Sequence, residues 1–161
     1  MIDFRNFTKN EIDEEWLKGK AGRIIEMVNQ KKPDLNLSVK EMELSLAIVG
    51  KQRIKRLNKI YRGKNKITDV LAFEEKSAIG FLDEKFIYPP DNTKRLGEVV
   101  ICYPKAKKQA KEMNHSLDLE MTILLIHGIL HLLGYDHEKG ESDEKEMKSL
   151  EKEILGVVRD S

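Results

Sequence analysis

Apolar residues recur along this chain with two periods, and the switches between them lay out its elements. Residues 1–7 alternate weakly, as a short first strand would. Asn10 stands where a helix cap belongs, and Glu11, Asp13 and Glu14 follow where acids suit a helix dipole. Leu17, Ala21, Ile24, Ile25 and Val28 then recur at helical spacing, which predicts a helix over 11–29. Trp16 packs at its edge. Lys31-Lys32-Pro33-Asp34 breaks the pattern. Residues 42–49 alternate and then become continuously apolar, which reads as a strand ending at Gly50. Ile54, Leu57 and Ile60 or Tyr61 give the inward face of a short helix, and Gly63 terminates it.

Residues 68–73, Thr-Asp-Val-Leu-Ala-Phe, read as a second major strand. Residues 76–95 form a Gly/Pro/Asp-containing excursion, a small hairpin or lid carrying Phe81, Phe86, Ile87 and Tyr88. Residues 96–103 are a third major strand, apolar on both faces at its centre and so internal to a sheet. Pro104 suits a first helical position, and a helix over 105–113 follows. Ser116 caps a helix reaching about Leu133 that is apolar nearly all round, as a helix buried in the middle of a domain should be. Ser142 caps a last amphipathic helix through Leu155. Met147, Leu150, Ile154 and Leu155 face inward, and its mixed charges make a solvated outer face.

Composition changes this picture little, and charge placement changes it more. A chain of 161 residues can bury one proper core, so 1–161 is read as a single domain. A net charge of +1 argues neither for nor against a nucleic-acid partner. Residues 51–66, however, carry Lys51, Arg53, Lys55, Arg56, Lys59, Arg62, Lys64 and Lys66 with no acid among them. Most of these belong on a solvated helix face, yet the unbroken sign makes a local patch suited to phosphates. The lone Cys102 excludes an intrachain disulfide and fits a reducing compartment. No secretory pattern opens the chain. The most apolar run, residues 121–133, is thirteen long, whereas a membrane span needs about 20. A cytoplasmic protein with no membrane partner is expected.

The candidate chemistry lies in residues 127–137, His-Gly-Ile-Leu-His-Leu-Leu-Gly-Tyr-Asp-His, which hold three of the four histidines. On a helix, His127 and His131 stand on one face with Cβ atoms about 5–6 Å apart. Two imidazoles so placed can share one metal ion, since each bond needs only about 2.0–2.1 Å. Gly134 can take the left-handed conformation and reverse the chain, so that His137 points back at the other two. Three histidines leave a fourth position open for water, the arrangement of a catalytic zinc. The spacing matches the metzincin peptidases, but Gly128 stands where their glutamate base belongs. Asp136 reads as a partner for a ligand histidine or a turn former. His115, outside the motif, reads as a solvated turn histidine.

Taken together, the pattern resembles the YbeY family of bacterial endoribonucleases. The resemblance covers roughly residues 57–155. It rests on Leu57-Asn58-Lys-Ile-Tyr61-Arg62-Gly63, Thr68-Asp69-Val70-Leu71-Ala72-Phe73, Leu96-Gly97-Glu98-Val99-Val100-Ile101 and the histidine motif. Ile67, Ala72 and Glu98 depart from the family's usual proline, serine and aspartate, and none is a histidine or Arg62. The resemblance implies a zincin-like α+β fold, with a small mixed sheet packed with helices around a central metal-bearing helix. It implies one Zn2+ bound by His127, His131 and His137. It also implies single-strand-selective cleavage of RNA in ribosomal RNA maturation, chiefly at the small-subunit 3′ end, and in ribosome quality control. Arg62 aligns with the family's functional arginine.

Phosphodiester cleavage gathers negative charge on phosphoryl oxygens, so a cation must stand close by. Arg62 is the expected catalytic residue, because a guanidinium can grip two phosphate oxygens and keeps its proton. Two other readings stay open: a metallopeptidase lacking its usual base, and a non-catalytic ribosome assembly factor whose zinc only rivets the C-terminal turn.

Overall fold

Among the described residues, four strands pair into one mixed sheet in the order β1-β2-β4-β3: Ile2–Asn6, Met42–Val49, Val70–Phe73 and Lys94–Cys102 as β1 to β4. The computed structural model describes residues 1–35, 42–74, 94–135 and 140–159. The excursion expected over 76–95 therefore lies almost wholly outside the described residues. β1 runs parallel to β2 and β2 parallel to β4, while β3 pairs antiparallel with β4 and forms an edge. Five α-helices accompany the sheet among the described residues: α1 (Glu14–Lys31), α2 (Lys51–Arg62), α3 (Tyr103–Glu112), α4 (Leu117–Leu132) and α5 (Glu141–Val158). The fold is α+β.

Parallel strands need cover on both faces, and the two faces of this sheet are covered unequally. Leu44, Leu46, Ile48, Val99 and Ile101 meet the apolar sides of α1, α4 and α5 in the larger core. The alternate residues Ala47, Val49, Leu71, Val100 and Cys102 meet Ile54 and Leu57 of α2 in a smaller one. All eight residues of β2 are buried, and β4 lies inside the sheet as its two-sided apolar centre requires. Each fully buried Leu or Ile stabilises by about 1.5–3 kcal/mol. Burial pushes the Cys102 thiol above its ordinary range, which makes it an inert core residue.

Several ends differ from the expectation. The first helix is capped by Asp13, whose carboxylate accepts from the Trp16 amide at 3.0 Å, and not by Asn10. Asn10 belongs to a preceding turn, in which Asn6 Oδ1 accepts from the Thr8 amide and the Asn10 amide donates to Thr8 Oγ1. The third helix begins at Tyr103, before Pro104, and the last begins after Gly140, with Ser142 inside it, and continues to Val158. Strand β3 starts at Val70, because the Asp69 carboxylate accepts from the Val70 amide at 2.8 Å and from Gln109 Nε2 at 3.3 Å. Ser116 caps α4 as expected, accepting from the Leu119 amide at 3.1 Å.

The central contact of the larger core is the approach of α4 to the sheet at Gly128. A Cβ added there would stand 2.6 Å from Val99 Cγ1 and 3.1 Å from Val99 Cγ2. Gly22, in α1, has nothing within 4 Å of the same position. Replacing a helical glycine by alanine favours the helix by about 1 kcal/mol, and overpacking a core costs about 1–3 kcal/mol. Gly22→Ala is therefore expected to raise the urea midpoint and Gly128→Ala to lower it. A Gly128→Ala protein stabilised as much as Gly22→Ala would disprove the close approach.

Candidate active site

The last two turns of α4 carry His127 and His131 on one face, with ring centroids 4.7 Å apart and planes tilted by 55°. Neither ring is sealed in the core, although Gly128, Ile129, Leu130 and Leu132 around them are buried. The helix is oriented by those buried neighbours, so the two imidazoles are held at the rim of the sheet rather than left to rotate with a surface helix. Two neutral imidazoles so close make a donor pair of the kind zinc accepts.

Immediately after the pair the chain reverses. The Gly134 amide donates to the His131 carbonyl at 3.1 Å, and the Tyr135 amide donates to the Leu130 carbonyl at 3.0 Å. This is a Schellman closure, in which a residue with positive φ lets the helix's orphan carbonyls be satisfied. Gly134 has φ +95°, and Tyr135 packs back against the core. Burial raises the Tyr135 hydroxyl above its usual range, so it stays protonated at neutral pH. The reversal thus begins where the glycine was expected to place it. His137 and Asp136, which would complete the motif, lie outside the described residues. Among the described residues no group of three His, Cys, Asp or Glu side chains is assembled for a metal.

Arg62 arrives from the opposite face of the sheet. Helix α2 covers the smaller core, and its last residue comes round the short edge strand β3. There Arg62, Val70, Ala72, His127, Gly128 and His131 line one cavity of about 40 Å³. That is space for an ion and a water or two, at roughly 10–15 Å³ each. The α2 helix ends at Gly63, whose amide donates to the Lys59 carbonyl at 3.1 Å. Buried Asn58 fixes the loop beyond it, donating from Nδ2 to the Lys66 carbonyl at 2.9 Å and accepting the Lys64 amide on its own carbonyl. Of the other basic residues of this stretch, Lys51, Arg56, Lys59, Lys64 and Lys66 are exposed, in line with a solvated face. Arg53 stacks on the Phe7 ring at 4.0 Å from its centroid.

Two acidic side chains were missed in the sequence. Glu151, on a helix whose charges were expected to face solvent only, reaches His127: its Oε1 lies 2.9 Å from Nδ1. Glu120 meets His115 in the same way, 2.7 Å from Nε2, so His115 is a half-buried paired residue and not a solvated one. The Glu151 pairing has no local sequence signal, because the two residues lie 24 apart. For His115 the five-residue spacing to Glu120 was the available hint. Of the three departures from the family pattern, Ala72 lines the cavity. Glu98 is fully buried, on the strand face that α2 covers.

Gly128 bears on the peptidase comparison. Its Cβ position is filled by Val99, so the general-base glutamate of H-E-x-x-H has no room at this point of the helix.

The family model described as endoribonuclease YbeY matches residues 3–159. A protein named endoribonuclease YbeY from Staphylococcus carnosus is 40% identical over 162 aligned residues, covering 99% of this chain and 98% of its own. One of the same name from Bacillus cytotoxicus is 40% identical, covering 98% of this chain and 95% of its own. Another from Aquifex aeolicus is 43% identical over 76% of this chain and 74% of its own. Among solved structures, the solution structure of TM1509 from Thermotoga maritima superposes with a TM-score of 0.55 at 26% identity, covering 99% of this chain and 93% of that one. With a family match over nearly its whole length and relatives at this identity, the chain belongs to the endoribonuclease YbeY family.

Proposed function

We propose that the chain, acting as one domain over residues 1–161, is a metal-dependent endoribonuclease that cleaves single-stranded RNA. Its work is ribosomal RNA maturation and ribosome quality control in the cytoplasm. The observation that carries this reading is the single cavity on which His127, His131 and Arg62 converge from two different helices. Membership of the endoribonuclease YbeY family supplies the reaction class. No helix among the described residues is long and apolar enough to cross a membrane.

On this reading α4 is the metal-bearing helix of a zincin-like fold, and His127, His131 and His137 would hold one zinc ion. When bound, that ion would supply Lewis acidity toward a phosphoryl oxygen and make water acidic enough to ionise near pH 7. The remaining work falls to the chain's own side chains. Arg62 grips the scissile phosphate and offsets charge growing on its oxygens as the P–O bond breaks. The exposed cations Arg56 and Lys59 lie behind it on α2, and Lys107, Lys108 and Lys111 project from α3. They hold the flanking backbone without reading its sequence, as phosphate contacts do. The small cavity admits a phosphate edge rather than a paired helix, which fits single-stranded substrate.

The peptidase reading has little support, since position 128 offers no space for a base. The assembly-factor reading leaves Arg62 unexplained, because a structural zinc needs no cation beside it.

Two outcomes follow. Metal analysis of the purified protein should find one zinc per chain, and chelation should stop cleavage of a single-stranded RNA until zinc is restored. His131→Ala should lose both metal and activity. Full cleavage by metal-free protein would end the metal reading. Separately, Arg62→Glu should lower cleavage by about 10²–10³-fold or more while zinc content and melting temperature stay near wild type. Normal cutting by that variant would remove Arg62 from the chemistry.

A further inference from the structure

We propose that Glu151 is a positioning residue for the metal site, fixing the tautomer and ring direction of His127 from the neighbouring helix. The inference rests on the metal reading above and adds a residue to it. Glu151 Oε1 lies 2.9 Å from His127 Nδ1. An ionised carboxylate can only accept, so the proton of that bond sits on Nδ1. A histidine holding its proton there has Nε2 to offer a cation. Carboxylates that grip the far nitrogen of a ligand histidine both orient the ring and raise its basicity.

The geometry distinguishes this bond from a chance surface pair. Glu151 stands beside Met147, Leu150 and Ile154, three buried anchors of α5. Those anchors pack in the same core as Leu125, Ile126 and Ile129 of α4, so the spacing between the two helices is set by apolar contact. Carboxylate and imidazole are each only 29% exposed, enough burial to strengthen their bond over that of a free surface pair. The other ion pairs of α5 differ. Lys148–Glu144 lies within the helix, Lys31–Glu153 reaches the end of α1 and Lys32–Glu146 the residue after it; among the described residues none of these involves the cavity.

The test is zinc affinity, measured by chelator competition on wild type, Glu151→Ala and Glu151→Gln, with urea denaturation of the zinc-free proteins alongside. Glu151→Ala is expected to weaken zinc binding by about 10–100-fold. Glu151→Gln should lose less, because its amide oxygen still accepts from Nδ1, and it serves if the alanine variant folds poorly. Imidazole ¹⁵N spectra of the zinc-free protein at pH 8 should show the Nδ1–H form of His127 in wild type and Glu151→Gln. In Glu151→Ala that form should give way to Nε2–H. Zinc affinities within twofold of wild type in both variants would overturn the proposal, even if stability fell, since the bond would then be a clasp between helices. Failure of the metal reading looks different: wild type itself would take up no zinc, and the role given to Glu151 would fall with it.

Discussion

The missing side chain at position 128 sets how closely α4 can lie on the sheet. Val99 occupies the space a Cβ would take, and Val70 stands a little farther off. Helix and strands meet backbone to side chain, with no intervening layer. That contact fixes the height and rotation of α4 above β3 and β4, and so fixes where its next residues point. His127 precedes the contact and His131 follows it by one turn. The buried residues between them leave the helix no freedom to rotate without opening the core.

The short edge strand β3 makes the rest of the site possible. Because β3 has only four residues, α2 can cover the opposite face and still bring its final side chain round to the histidines. Asp69 starts that strand late, by holding the Val70 amide on its own carboxylate and reaching Gln109 of α3. Asn58 holds the loop after Arg62 from within the smaller core. Asp69 and Asn58 thus shape the rim. On the proposed reading, substrate phosphate meets Arg62 and the metal site from opposite sides of one sheet edge.

Much of this was legible in the chain. Hydrophobic period, read with Pro104 and the capping and turn residues, placed the strands of the sheet and its five helices to within a few residues, and two-sided apolarity marked β4 as internal. Histidine spacing and Gly134 placed the paired imidazoles and the reversal after them. What escaped was polar contact made at long range. Glu151 carries the same local signal as any exposed glutamate on an amphipathic helix, and only the packing of α5 on α4 turns it toward His127. Asn10 and Asp13 were both good caps by type, and the choice between them depended on a turn closed by Asn6 and Thr8. His115 had a partner in Glu120, but the burial that makes the pairing matter comes from the end of α3 folding back on α4.

X-ray absorption at the zinc edge of the purified, zinc-loaded protein tests the central claim most directly, because it reads the atoms around the ion without reference to activity. Three imidazole nitrogens and one further light-atom ligand, at about 2.0–2.1 Å, are the expected first shell. A shell with sulfur, or with imidazole scattering that persists unchanged in His127→Ala and His131→Ala, would contradict it.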